Sequence, residues 1–268
     1  MAILQYDFMR RAFMVGILLA VIVPCIGIIV VLKRLSMIGD ALSHTSLAGV
    51  AAGLVLGINP ILGAAAACTL AALSIEGIRK KLPQYAEMSI AIIMSAGIGL
   101  AGVLSGFVKN AANFNSFLFG SIVAISDMEL MMVAAAGAAV MIAFILLYRE
   151  LFFIAFDEKA ARLAGVRVGQ VNFIFTLLTA LTVAVAARTV GALVVSSMMV
   201  IPVACGMQMG RSFRQTLFWA VGFAVLFTVS GLFLAFYAGL KPGGTIVLIG
   251  VLCLVVLFII HTFHRTKR

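Results

Sequence analysis

Charge is what this sequence has least of. Asp, Glu, Lys and Arg together make up 10% of its 268 residues while 64% are hydrophobic; a soluble globular domain carries about 25% charged residues. That composition excludes an extended water-soluble domain and points to a chain that crosses a membrane repeatedly. Acid is the scarcer sign, nine residues against nineteen bases, for a net charge of +10. The excess does not indicate a nucleic-acid binder: the bases fall in short clusters between apolar runs, the pattern of cytoplasmic membrane loops. Cysteine is scarce too. Cys25, Cys68, Cys205 and Cys253 all stand inside apolar runs with no CxxC spacing, which argues against a disulfide framework or a cysteine metal cluster and for small core residues. No GxxxxGK[ST] phosphate loop is present, so ATP hydrolysis by that route is excluded, and neither HExxH nor GxSxG occurs.

Apolar runs fill the rest. Segments long enough to span, at about 20 residues each, run roughly over 12–32, 40–57, 60–78, 86–108, 128–148, 171–187, 189–209, 213–238 and 243–261. The chain is therefore expected to be all-α, one polytopic helical domain over 1–268 with about eight or nine transmembrane helices. The first run ends in Lys33-Arg34 with no small-residue cleavage site, so a retained span is expected and not a signal peptide. Ile58-Asn59-Pro60 reads as a tight turn whose proline opens the third helix. Lysine and arginine set the orientation: Lys33-Arg34, Arg79-Lys80-Lys81, the stretch from Arg149 to Arg167, Arg211 with Arg214 and the tail from Arg265 belong inside, and the loops around Lys109 and Lys241 outside. Nine spans place the N-terminus outside; Arg10-Arg11 speak against that, and eight spans would place it inside.

Within this apolar background, Gly39-Asp40-Ala41-Leu42-Ser43-His44 holds a carboxylate and an imidazole at i and i+4. On a helix these share a face, with Cβ atoms roughly 6 Å apart, and small residues through Gly53 let neighbouring helices come close. An ionisable pair in a span is a functional site by default because burying charge in lipid is costly. One oxygen and one nitrogen donor suit zinc, manganese or iron(II). The competing reading has Asp40 capping the helix or pairing with Lys33 or Arg34, and His44 bonded to a carbonyl.

Other polar residues are more ordinary. Glu76 is placed to pair with Arg79 or Lys80, Arg188 reads as a snorkelling side chain in preference to an electrostatic element near the outer mouth, and His261 and His264 as an interfacial tail. Asp127 and Glu129 open a span, as dipole-complementing acids or as attractors of cations. The apolar stretch from Asn113 to Ser126 is too short to cross and reads as an interfacial or re-entrant segment on the outer side. Between spans, residues 156–166 form a short cytoplasmic helix with Asp157 and Glu158 at its start, Gly165 at its stop, and a small face of Ala160, Ala161 and Ala164. It suits a partner's groove, or is simply a connector.

These stretches resemble the membrane permease subunits of bacterial ABC importers for zinc, manganese and iron. The similarity runs along nearly the whole chain: Gly39 to Gly49, Asn59-Pro60, Leu118 to Ile122, Asp157 to Val166, Val190 to Ser196 with Ile201-Pro202, and Gly231 to Tyr237 with Pro242-Gly243-Gly244. Cys205 stands where a threonine often follows that proline. The resemblance implies the fold of the vitamin B12 and siderophore permeases and a homodimer with its pathway on the two-fold axis. It implies a bacterial inner membrane location, a cytoplasmic ATP-binding subunit docked on Asp157, Glu158, Ala160, Ala161, Ala164 and Gly165, and an extracytoplasmic metal-binding protein. It further implies that Asp40 and His44 handle the transported metal, with no cofactor bound by the chain and no enzymatic activity of its own. Two other classes compete: a gradient-driven secondary metal carrier, for which internal repeats are expected and none is visible, and an intramembrane enzyme using Asp40 and His44 as acid and base, which lacks a nucleophile at recognisable spacing.

Overall fold

A computed structural model describes residues 5–108 and 127–266. The outer segment 113–126, the loop around Lys109 and the last two residues lie outside the described residues, as do the side chains of Arg188 and His264.

Apolar runs become helices because no backbone amide can be left unpaired in lipid. In chain order these are α1 (Asp7–Leu32), α2 (Ile38–Leu56), α3 (Pro60–Lys81), α4 (Ala86–Ser105), α5 (Asp127–Leu146), α6 (Tyr148–Phe156), α7 (Glu158–Leu163), α8 (Val168–Thr189), α9 (Ala192–Met209), α10 (Phe213–Ala238) and α11 (Pro242–Thr266). Seven of them, α1, α3, α4, α5, α8, α10 and α11, are long and apolar enough to cross a bilayer. The two remaining legs, α2 and α9, are threaded among the others: α2 carries Asp40, His44 and several hydroxyls, and the apolar part of α9 is shorter. The start of α3 is as read from sequence, with Asn59 capping through its side chain to the Ile61 amide at 2.9 Å and Pro60 as the first helical residue.

Side-chain pairs tie helix ends at each face. Arg11 meets Asp127 at 2.8 Å, placing the starts of α1 and α5 at one face. At the other face Arg79, near the end of α3, reaches Glu158 of α7 at 3.8 Å. Among the described residues, α1 to α5 and α8 to α11 make nine legs, the short α6 and α7 aside, and alternation from the Arg11–Asp127 face puts the start of α1 and the end of α11 on opposite sides.

Close packing rests on small residues. Gly49 of α2 and Gly63 of α3 press backbone against backbone, each occupying the space a side chain on the other would need. The α8–α9 turn is buried in the protein, with Thr189 and Val190 enclosed and Gly191 at φ 103°. Non-helical backbone at such depth is tolerated only where protein covers it.

Candidate functional site

The site is built on the first turns of α2, and hydrogen bonding and packing fix its depth. Cys68 Sγ of α3 donates to the Leu42 carbonyl at 3.3 Å. Cys68 lies about 12 Å along α3 from Pro60 and about 20 Å from Lys81, at roughly 1.5 Å per residue. On the other side a methyl on Gly97, near the middle of α4, would approach the Thr45 amide to 2.9 Å. Asp40 to His44 therefore sits near mid-depth, and α2 begins inside the membrane. Gly39 brings it against α9: a methyl there would come within 3.3 Å of Ser196 Cα.

Asp40 and His44 are both half-buried on this helix, one turn apart. Neither makes a hydrogen bond or ion pair among the described residues. The capping alternative does not hold: Met37 is the N-cap residue, no side-chain cap bond is made, and Asp40 lies within the first turn. Its charge there faces the positive end of the helix dipole. Pairing with Lys33 does not hold either, because the Lys33 ammonium donates to Asn172 Oδ1 at 2.7 Å. Ser43, three residues after Asp40, is 2% exposed, and its hydroxyl has no hydrogen-bond partner among the described residues. Sequence reading passed it over as a small residue; its signal was the i, i+3 spacing to Asp40. Among the described residues no cluster of three or more His, Cys, Asp or Glu forms, so one chain brings two such donors together and no more.

The cytoplasmic segment is built as a compact cap. Asp157 is the N-cap of α7, its Oδ1 accepting from the Lys159 and Ala160 amides at 2.9 Å each. Gly165 at φ +86° closes the helix, with the Val166 amide donating to the Ala161 carbonyl at 3.0 Å and the Gly165 amide to the Arg162 carbonyl at 3.1 Å. Glu158 pairs with Arg162 at 3.7 Å and with Arg79. One expectation is corrected here. Ala161 is 0% exposed and belongs to the core, because it is the residue on which α7 sits; it is no part of an outward face. What α7 turns outward at its end is Leu163, 90% exposed, followed by Ala164 and Gly165. Leu163 was missed because an apolar residue in an amphipathic stretch reads as buried.

The remaining polar residues fall mostly as read. Glu76, 6% exposed, accepts from Arg79 Nε at 2.9 Å and lies 3.9 Å from Lys80. Asp127 is engaged with Arg11. All four cysteines are free, three of them buried. His261 is exposed at the end of α11.

A bundle of apolar helices, with a carboxylate and an imidazole that have no partner among the described residues and a capped helix on the basic face, defines a polytopic membrane protein. Comparison with known proteins makes this specific: the ABC 3 transport family matches residues 5–261, and the chain belongs to it. It is 34% identical over 266 residues to the "Probable metal transport system membrane protein" of Treponema pallidum (strain Nichols), covering 98% of this chain and 99% of that one. It is 28% identical to the manganese import system permease protein ScaB of Streptococcus parasanguinis, over 98% and 94% of the two chains. It is 26% identical to the high-affinity zinc uptake system membrane protein ZnuB of Haemophilus influenzae, over 98% and 100%. Among solved structures, PsaBC from Streptococcus pneumoniae in complex with Fab superposes with a TM-score of 0.88 at 26% identity, over 99% of this chain and 97% of that one. The chain is a multi-pass protein of the bacterial cell membrane.

Proposed function

We propose that this chain is the permease subunit of an ATP-driven importer and that Asp40 and His44 conduct a divalent transition metal ion through it. The observation that carries the reading is the half-buried, unpartnered pair at mid-depth on α2. A carboxylate held there without a counterion is costly, and a passing cation relieves that cost. Two donors bind weakly, which suits a pathway the ion must leave. Their open side would meet hydrocarbon if the chain stood alone. A second copy across a two-fold axis covers it and supplies two more donors, a set of four adequate for zinc, manganese or iron. The Ser43 hydroxyl is available to the ion's remaining water. ATP hydrolysis belongs to a separate cytoplasmic subunit seated on α7, and an extracytoplasmic metal-binding protein delivers the ion. The whole chain, 1–268, acts as one permease domain.

The test is metal uptake in a strain without its own uptake system, with a panel of manganese, zinc and iron. Asp40→Asn keeps the shape and removes the charge; His44→Leu removes the nitrogen. Both are expected to assemble normally with the ATPase and to lose uptake. Wild-type uptake by Asp40→Asn would overturn the reading.

A further inference from the structure

The inner face holds a buried polar cluster that the transport site does not use. Lys33 follows the last residue of α1 and heads the short link 33–37 that leads into α2 and Asp40. Its ammonium does not reach bulk water freely. It donates to Asn172 Oδ1 at 2.7 Å and lies 5.7 Å from the centre of the Phe175 ring, both on α8. Asn172 is 2% exposed. It stands one turn into α8, and α8 follows directly from the segment that closes α7. The clasp is thus one turn of α8 and the four-residue stretch 164–167 away from α7 on one side, and one short link from the first turn of α2 that holds Asp40 on the other.

That link is itself shaped. Arg34 is held at φ 58°, the Leu35 amide donates to the Val30 carbonyl at 2.9 Å, and the Ile38 amide donates to the Leu35 carbonyl at 2.8 Å. Leu35 and Ile38 are buried. A displacement of Lys33 is therefore carried into the first turn of α2 and not absorbed by slack chain. A second tie runs in parallel. Arg79 holds Glu76 in a two-pronged contact, Nε to Oε2 at 2.9 Å and a terminal nitrogen to Oε1 at 3.1 Å, and bridges to Glu158 of α7 at 3.8 Å. Lys33 is within electrostatic reach of Arg79, Glu158 and Glu76.

We infer that the Lys33–Asn172 clasp is the joint through which movement of α7 and the start of α8 repositions Asp40 on α2, so that both act as positioning residues for transport. The inference rests on the transport reading above. A bond between a charged donor and a buried neutral acceptor suits the role: it is directional, and an unmade bond leaves both groups costly, so the two segments move together. Arg79 holds α7 to α3, against which the rest of the joint works.

The test uses the complete complex, purified through its ATPase subunit, in vesicles with manganese or zinc as probe. Metal moved and ATP hydrolysed are measured together. Asn172→Leu keeps the branched shape and removes the acceptor; Asn172→Asp keeps an acceptor. Asn172→Leu is expected to assemble and hydrolyse ATP at the wild-type rate while metal moved per ATP falls roughly 5-fold or more, the size of a typical coupling between sites. Asn172→Asp is expected to restore the ratio, and Lys33→Met with Asn172→Leu together to be no worse than either alone. An unchanged ratio in Asn172→Leu, or losses that simply add, overturns the joint. Should Asn172→Leu fail to assemble, Asn172→Ser, too short to reach the ammonium, decides by the same ratio. Wild type and Asp40→Asn run alongside: if wild type moves no metal, or Asp40→Asn moves as much as wild type, the transport reading has failed and not the joint alone.

Discussion

Lys33 shows how much a single side chain can add to the inner face. Burial pushes its ammonium down to about 8 from the usual 10.5, Arg79 adds to the shift, and Glu158 and Glu76 oppose it. The folded state thus holds this proton less tightly than the unfolded chain. The unfolded chain binds more protons between these two values, so stability rises with pH across the window and is lost as pH falls through about 8. Lys33→Met removes the effect. The expected outcome is that thermal unfolding of the detergent-solubilised protein shifts in favour of wild type over Lys33→Met as pH goes from about 7.5 to about 9.5. A difference between the two that stays constant with pH would show that the group does not titrate in this range. Asp40 is the contrasting case: the helix start that would have made it a cap lies at Met37, and only this placement leaves its carboxylate for another partner.

At the scale of elements, two contacts decide what the helices do. The α2–α3 pair closes through Gly49 and Gly63 with no room for a side chain between them. Gly49→Leu forces the helices apart; overpacking of this kind costs about 1–3 kcal/mol, and it would disturb the depth at which Asp40 is held. Lower thermal stability together with reduced metal uptake is the expected result, and a fully stable, active variant would show that α2 tolerates the shift. On α7 the division between seat and outward face predicts opposite phenotypes. Leu163→Glu changes an exposed residue and should leave folding intact while the ATPase no longer co-purifies. Ala161→Arg places a charge in a fully enclosed position and should lower expression and stability. If Leu163→Glu still co-purifies the ATPase, the partner does not rest on this end of α7.

For the whole molecule, the prediction is one of sidedness. Lys33, Arg79, Lys80 and the α6–α7 segment gather at one face, and the Arg11–Asp127 pair marks the other. The side rich in Lys and Arg is the cytoplasm. In a background without the four native cysteines, Lys159→Cys is expected to resist an impermeant thiol reagent applied from outside, and Lys241→Cys to react. The reverse pattern would invert the topology. The broad apolar exposure of α11, including Leu248, Leu252 and Phe258, and of α4, including Ile92, Leu100 and Val103, is then surface for lipid or for a second copy.

The amino-acid sequence by itself determined the membrane class, the all-helical fold, the spans to within a few residues and the spacing of Asp40 and His44. It did so because apolar length, basic flanks and helical periodicity are local properties. The Asn59–Pro60 start, the Asp157 cap and the Gly165 stop were legible for the same reason: each is made within one turn of chain. The tertiary structure decided what depends on neighbours distant in sequence. It set the mid-depth position of α2, through Cys68 and Gly97, and the isolation of Asp40, because Lys33 is held by a residue on α8 instead. It exposed the unpaired Ser43 hydroxyl, turned Ala161 inward and left Leu163 outside. In a six-residue helix nearly every position can face either way, and only the surface it lands on selects one.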